Sequence, residues 1–304
     1  VTARRWARLL RALGHRVTVR EAYRDEPCDV LIALHARRSA EAVERFRRAH
    51  PGHPVIVALT GTDLYADLRE SADARRALDL ATRVVVLQSE GVAALPDSVR
   101  AKARVIYQSA EPPRRRLAPL ARVFEVCVIA NLRAVKDPLR TAWAARLLPP
   151  ASRIRVTHVG AALEDEWARA ARAEMRANPR YRWLGALPPW RTRRLLARSR
   201  LLVLSSEMEG GANVLSEALA ASVPVLATRI PGSVGVLGPE YPGYFPVGDT
   251  DALAALLWRA ETDRAFYRAL SAHCRRAKSL VSPDRERRCW RALLEELCRL
   301  GGSP

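Results

Sequence analysis

The sequence predicts an α/β protein built from two doubly wound, Rossmann-like domains, and three observations lead there. Its 304 residues, 49% of them hydrophobic, suit two domains of ordinary size better than one. Short apolar runs recur in both halves and alternate with segments of helical periodicity, the pattern of parallel strands buried on both faces. A central stretch, residues 111–120, sets Pro112, Pro113 and Pro119 around Arg114, Arg115 and Arg116; it resists both helix and sheet and divides the halves.

The first half opens on a helix over residues 2–13, where Trp6, Leu9, Leu10 and Leu13 recur at helical spacing and Gly14 ends the run. Runs at 15–19, 30–34, 55–59, 84–87 and 104–107 read as strands, with a helix over 40–49. A doubly wound domain normally begins with a strand, so the first strand is expected to be missing, about 20 residues with its loop. The second half reads as strands at 124–129, 155–159, 181–184, 201–205 and 224–227, with helices over 138–147, 164–177, 190–198, 213–221 and 251–261. A last amphipathic helix over 284–300 carries Trp290, Leu293, Leu294 and Leu297 on one face. The expected domains are 1–115 and 121–282, followed by the helix segment 283–304.

The formal charge is +19, and of 51 basic residues only Lys102, Lys136 and Lys278 are lysines. The arginines are scattered along alanine-rich helices without a block of five or six like charges. That favours a solvated compositional bias over a nucleic-acid surface, an anionic partner being the alternative. Cys28, Cys127, Cys274, Cys289 and Cys298 contain no C-x-x-C pair, which argues against a zinc site or disulfide framework and fits a reducing cytoplasm. No run of about 18 uncharged apolar residues exists to span a bilayer, and no signal peptide is visible; no stable membrane association is expected.

Chemistry concentrates in residues 205–218, SSEMEGGANVLSEA, where a strand enters a two-glycine turn and then a helix. The first amides of that helix would point to the sheet's carboxyl edge and suit a diphosphate. Gly210 and Gly211 permit close backbone approach, and Glu217, one turn in, would accept ribose hydroxyl bonds. A plain strand-turn-helix with dipole-favoured acids is the alternative. Arg133 and Lys136, in the loop after the strand at 124–129, would share that edge and neutralise a departing nucleoside diphosphate; Lys136 as an ordinary surface charge is the other reading. Gly185 and Leu187 follow the strand at 181–184 and offer backbone groups to a nucleobase, or form a simple loop. His158 ends a strand and either approaches the sugar or sits in the core. Asp249-Thr250-Asp251 imitates a metal-binding D-x-D but precedes an apolar helical run, so it reads as a helix cap, and no metal is expected.

These residues resemble the donor half of the GT-B-fold, GT4-like retaining glycosyltransferases, whose E-x7-E pattern Glu209 and Glu217 match. The resemblance implies two Rossmann-like domains facing across a cleft, with acceptor bound by the first, nucleotide sugar by the second, and the last helix crossing back to the first. It gives Glu217 to ribose, Glu209 and the amides of Gly210, Gly211, Ala212, Asn213 and Val214 to sugar and phosphates, and Arg133 and Lys136 to the diphosphate. A narrower resemblance rests on residues 128–138 (VIANLRAVKDP), 157–160 (THVG), 209–214, 229–235 (RIPGSVG), 241–249 (YPGYFPVGD) and 58–65 (ALTGTDLY). Over these the chain is similar to the selenosugar synthase family of selenoneine biosynthesis, which implies transfer of the sugar of UDP-N-acetylglucosamine to selenophosphate, with UDP and phosphate released and no cofactor beyond the UDP-sugar. An anionic selenium nucleophile needs cationic positioning more than a strong base. The acceptor candidates are His35 and Arg37 after one strand, Thr60, Gly61, Thr62 and Asp63 after the next, and Gln88 after a third; Asp63 reads equally as a helix cap, and Arg37 as a solvated helix start. A hydroxyl acceptor, glycan or lipid, and a nonenzymatic nucleotide-sugar or nucleic-acid binding module are the competing functions.

Overall fold

The computed structural model describes residues 2–113 and 117–301. The chain divides into two compact units, Val1–Gln108 with Pro283–Pro304, and Ser109–Ser282. Arg114, Arg115 and Arg116 of the expected linker lie outside the described residues; the flanking segments 111–113 and 117–120 adopt neither helix nor strand.

The first unit runs α1 (Thr2–Ala12), β1 (Leu31–Leu34), α2 (Ala40–Ala49), β2 (Val55–Ala58), a π-helical turn (Asp63–Asp67), α3 (Leu68–Glu70), α4 (Ala72–Leu80), β3 (Arg83–Val86), α5 (Glu90–Ala93), α6 (Asp97–Arg100) and β4 (Ala103–Val105). The strands form one parallel sheet in the order β1-β2-β3-β4. Val55, Ile56, Val57, Val84, Val85 and Val86 are fully buried; strands this apolar form where helices cover both faces. Val43 and Phe46 of α2 and Ala74, Ala77 and Leu78 of α4 close one face. The small alanines let α4 lie close to the sheet, and the Ser71 hydroxyl caps it by accepting the Ala74 amide at 3.2 Å.

One expected strand does not form. Residues 15–19 pair with none of the described strands, and four of the five are exposed. A strand exists only by its ladder, and β1, the nearest strand in sequence, pairs with β2 alone among the described strands. The apolar alternation at 15–19 thus lacks a partner that would turn it into sheet.

The second unit contains β5 (Phe124–Ile129), a 3₁₀ turn (Ala134–Lys136), α7 (Arg140–Arg146), β6 (Ile154–Val159), α8 (Asp165–Ala177), β7 (Tyr181–Trp183), α9 (Pro189–Arg198), β8 (Leu201–Leu204), α10 (Asn213–Ala221), β9 (Val225–Thr228), α11 (Pro231–Leu237), β10 (Tyr244–Phe245), α12 (Thr250–Thr262) and α13 (Arg264–Ala277). Its parallel sheet has the order β10-β9-β8-β5-β6-β7. From β5 the chain builds outward through β6 and β7, then returns to lay β8 on the other side of β5, in the register Val126↔Leu201 and Cys127↔Leu202. The loops after β5 and β8 therefore leave the same carboxyl edge side by side. Such a reversal opens the crevice where doubly wound sheets take ligands. Asp249 caps α12, its carboxylate accepting the Ala252 amide at 2.8 Å.

From Pro283 the chain returns to the first unit as α14 (Pro283–Gly301). Trp290, Leu293 and Leu297 join Trp6 and Leu10 of α1 over the second face of the sheet, against Ile56, Ala58 and Val85. The rings of Trp6 and Trp290 meet edge to face at 4.7 Å, and the Trp6 indole donates to Glu286 at 2.7 Å. Glu296 fastens the helix to the sheet by accepting from Arg83 at 2.7 Å and from Arg104 at 3.0 Å. Hydrogen bonds from Arg104, then Arg83, hold the Glu296 carboxyl down at about 2, against an ordinary 4.5. This contact stabilises the fold above about pH 4.5, and its contribution disappears as pH falls through about 2. Glu296→Gln is expected to cost about 1 kcal/mol at pH 7, below the usual range for charged hydrogen bonds because the group keeps contact with water. It should also flatten the acid dependence of urea denaturation between pH 4.5 and 2.

Candidate functional site

The site of the second unit begins with the loop after β5. Residues 134–136 make one 3₁₀ turn that ends at Asp137, in a left-handed conformation with φ 42°. Asp137 holds the turn by accepting from Arg140 Nε at 2.7 Å, while Arg140 Nη1 donates to Thr250 Oγ1 at 2.7 Å. The neighbouring loop after β8 is stitched to it: Ser205 Oγ donates to the carbonyls of Lys136 and Asp137 at 3.1 and 3.0 Å, and the Glu207 amide donates to the Val135 carbonyl at 3.0 Å. These ties bring Lys136 and Glu209 together as a part-buried ion pair, with side-chain exposures of 16% and 12%. Ser206 Oγ donates to the same Glu209 oxygen, Oε1, at 2.8 Å.

Gly232, at the start of α11, presses on the Glu209 backbone so closely that a Cβ there would lie 2.1 Å from the Glu209 carbonyl oxygen. Only glycine fits that approach. Thr228 Oγ1 donates to the Ser206 carbonyl at 2.6 Å and ties β9 to the same loop. The turn at Gly210 and Gly211 then enters α10, whose N-cap position is Ala212. Alanine carries no capping oxygen, so the side chain before Asn213 and Val214 leaves their positive helix end to other partners. Glu217 stands one turn inside α10 and is half-buried. Arg133 is exposed beside the 3₁₀ turn. The structure thus places Arg133, Lys136, Glu209, Gly210, Gly211 and Ala212 on the two loops at the strand-order reversal, and Asn213, Val214 and Glu217 in the first turns of α10 that follows.

Gly185 and Leu187 follow β7 at the same edge. Gly185 takes φ 67°, and its carbonyl accepts the Gly160 amide at 2.9 Å, joining the loops after β6 and β7. His158 belongs to the core: it is fully buried, with Nδ1 3.0 Å from the Tyr181 hydroxyl and Nε2 3.0 Å from the Ala130 carbonyl. Burial pushes its pKa down to about 4, so the imidazole is neutral at pH 7, and both ring nitrogens are engaged within the unit. Of its two sequence readings, the structure takes the core.

In the first unit the candidates cluster at the carboxyl ends of β1, β2 and β3, and Asp63 organises them. Fully buried, it accepts the amides of Thr60 and Gly61 at 2.8 and 2.9 Å and the Thr60 hydroxyl at 3.1 Å on Oδ1, and the Ala36 amide at 3.2 Å on Oδ2. Asp63 therefore ties the loop after β2 to the loop after β1 rather than facing solvent or capping the helical turn it starts. His35 is left-handed at φ 75°, uncommon for a non-glycine residue. Its ring nitrogens stand 4.0 Å from Asp63 and 3.6 Å from Asp67, and Arg37 Nε lies 3.3 Å from Asp67. Gln88 is fully buried, donating to the Tyr65 hydroxyl at 2.7 Å and accepting the Gly91 amide at 3.1 Å. Arg37 and Thr62 are exposed, Thr60 is half-buried and Gly61 buried.

Ser205, Ser206, Thr228 and Gly232 carry no role in the sequence reading, yet they set the position of Glu209. Their signal was the serine pair directly after the strand at 201–204 and the glycine after Pro231. No described helix is long and apolar enough to cross a membrane.

The family model for glycosyl transferases group 1 matches residues 114–277. A search of curated protein sequences gives no significant match. Among solved structures, the chain is similar to HepE of Anabaena in complex with UDP and glucose, with a TM-score of 0.74 and 18% identity over 88% of this chain and 78% of that one. It is similar also to the sucrose-phosphate synthase of Thermosynechococcus elongatus, with a TM-score of 0.72 and 18% identity over 90% and 74% of the two chains. The likeness is one of fold, two parallel-sheet Rossmann-like domains of the GT-B class. Gly232→Ala tests how the site is held. A methyl group at 2.1 Å from a backbone oxygen must move the Glu209 loop, with an expected loss of about 1–3 kcal/mol in urea denaturation.

Proposed function

From the premise that the chain belongs to the glycosyl transferases group 1 family, we propose that it transfers the sugar of a UDP-sugar, UDP-N-acetylglucosamine by preference, to selenophosphate. The observation that carries the donor half is the Lys136–Glu209 pair on adjoining loops at the strand-order reversal, beside the start of α10, whose N-cap residue Ala212 has no capping side chain. A diphosphate held there meets Lys136, Arg133 and the helix amides, so negative charge growing on the leaving UDP is met by cations and oriented N–H groups. That supply of positive charge supports transfer without a metal. The carboxylate of Glu209 faces the sugar hydroxyls, and Glu217 accepts from the ribose. HepE, solved with UDP and glucose and also with UDP-glucose, supports a UDP-sugar as donor.

The acceptor half rests on the selenosugar synthase resemblance. Selenium attacks the anomeric carbon, the bond from that carbon to the β-phosphate oxygen breaks, and UDP leaves. Water then takes the phosphoryl group, releasing phosphate and the 1-seleno-sugar. Arg37 and Thr62, exposed at the carboxyl edge of the first unit's sheet, are the candidates to position the anion. Within the same family the second reading is a hydroxyl acceptor, glycan or lipid.

Incubation with UDP-N-acetylglucosamine and selenophosphate should yield a product whose mass carries selenium. A glycoside formed only with hydroxyl acceptors would reject the selenium reading and leave the donor site standing. Glu217→Ala is expected to raise the KM for donor about tenfold, the worth of one charged hydrogen bond. Lys136→Ala should chiefly lower kcat, by about a hundredfold, since its charge matters most as the diphosphate departs.

A further inference from the structure

Lys136 and Glu209 do more than place two charges in one crevice, because each neutralises the other. The part-buried ammonium gives one of its three N–H groups to Glu209 Oε1, and that oxygen also receives Ser206 Oγ. Glu209 Oε2 takes no hydrogen bond from any described residue. The pair therefore offers two open valences of opposite kind: ammonium protons for anionic oxygens and a carboxylate oxygen for hydroxyl donors. A ligand with phosphate oxygens alone can satisfy only the first. It draws Lys136 away and leaves Glu209 uncompensated in a part-buried place, facing further negative charge. A ligand that joins a diphosphate to a sugar satisfies both, since the hydroxyl groups meet Oε2 while the phosphates meet Lys136.

We infer that Glu209 makes binding conditional on the sugar: it discriminates against free nucleoside diphosphate, the product of the transfer, by holding Lys136 and by repelling a diphosphate that brings no hydroxyl groups. This rests on the donor site proposed above and deepens it. Ser206 is the positioning residue that keeps Oε1 turned to Lys136 and Oε2 open, and the Gly232 contact fixes the backbone from which the carboxylate extends. Once the bond to the anomeric carbon breaks and the sugar moves to the acceptor, the diphosphate left behind faces an uncompensated carboxylate. Its release is thereby favoured.

Calorimetric titration of the full chain with UDP, UDP-glucose and UDP-N-acetylglucosamine tests this, with the ratio of UDP to UDP-sugar dissociation constants as the readout. In Glu209→Gln, which keeps the shape and removes the charge, UDP should bind about five- to tenfold more tightly, the scale of one like-charge repulsion in partly solvated surroundings. The preference for UDP-sugar should fall at least as far while transfer is lost. A merely structural glutamate would weaken both ligands together. Ser206→Ala keeps both charges and loosens the carboxylate; it should lower the preference about two- to threefold, and it serves as the reading if Glu209→Gln fails to fold. Wild-type protein that binds UDP-sugars, together with variants that leave the ratio unchanged or bind UDP less well, overturns the inference alone. Wild-type protein that binds none of the three ligands overturns the donor site and this inference with it.

Discussion

The ion pair between Lys136 and Glu209 joins residues 73 positions apart, and the path that brings them together is the reversal of strand order in the six-stranded sheet. Had β8 been laid beside β7 instead of β5, the two loops would leave the sheet edge several strand widths apart, and no side chain would span that gap. The rest of the site is arranged around this one adjacency. Ser205 and the Glu207 amide bind one loop to the other, Thr228 binds the next strand to the loop after β8, and Gly232 closes the approach from behind. Hydrogen bonds from uncharged hydroxyls and one backbone amide to backbone carbonyls thus set the geometry without any charge taking part.

Much of this was legible in the sequence because its signals are local. The buried runs of the second half, the glycine turn and the helix that follows it lie within short windows, and the structure puts strands and helices at those places with shifts of one or two residues. The helix-cap reading of Asp249 was legible for the same reason. What could not be read is what depends on remote partners. The alternation at 15–19 has the composition of a strand, yet a strand needs a neighbour, and composition does not name one. Gln88 looked like a strand-end polar residue facing ligand, and His158 stood open between ligand and core; each is satisfied by a tyrosine hydroxyl and a backbone group that only the fold brings near.

Asp63 shows why site residues of the first unit were the hardest to read. A carboxylate at a strand end after Thr-Gly-Thr suggests contact with substrate, but its lone pairs are taken by three backbone amides and a hydroxyl. Its work is to hold the loops that present Arg37 and Thr62, and the left-handed His35 lies on one of them. Buried carboxylates that collect several N–H donors are a common way to give irregular loops one shape. The exposed residues of those loops are free to differ while the anchor stays the same.

The return of α14 to the first unit also orders events in time. Trp6 and Trp290 lie in one core, so α1 waits for its partner until α14 has left the ribosome. The second unit draws on Ser109–Ser282 alone and is complete earlier in synthesis. At synthesis rates of about 5–20 residues per second, the first unit's sheet stays open on one face for roughly ten seconds or more after β4 emerges. Its apolar face would need shielding by chaperones during that interval, and a ribosome stalled before residue 283 would release a protein with a finished second unit and a first unit unable to close.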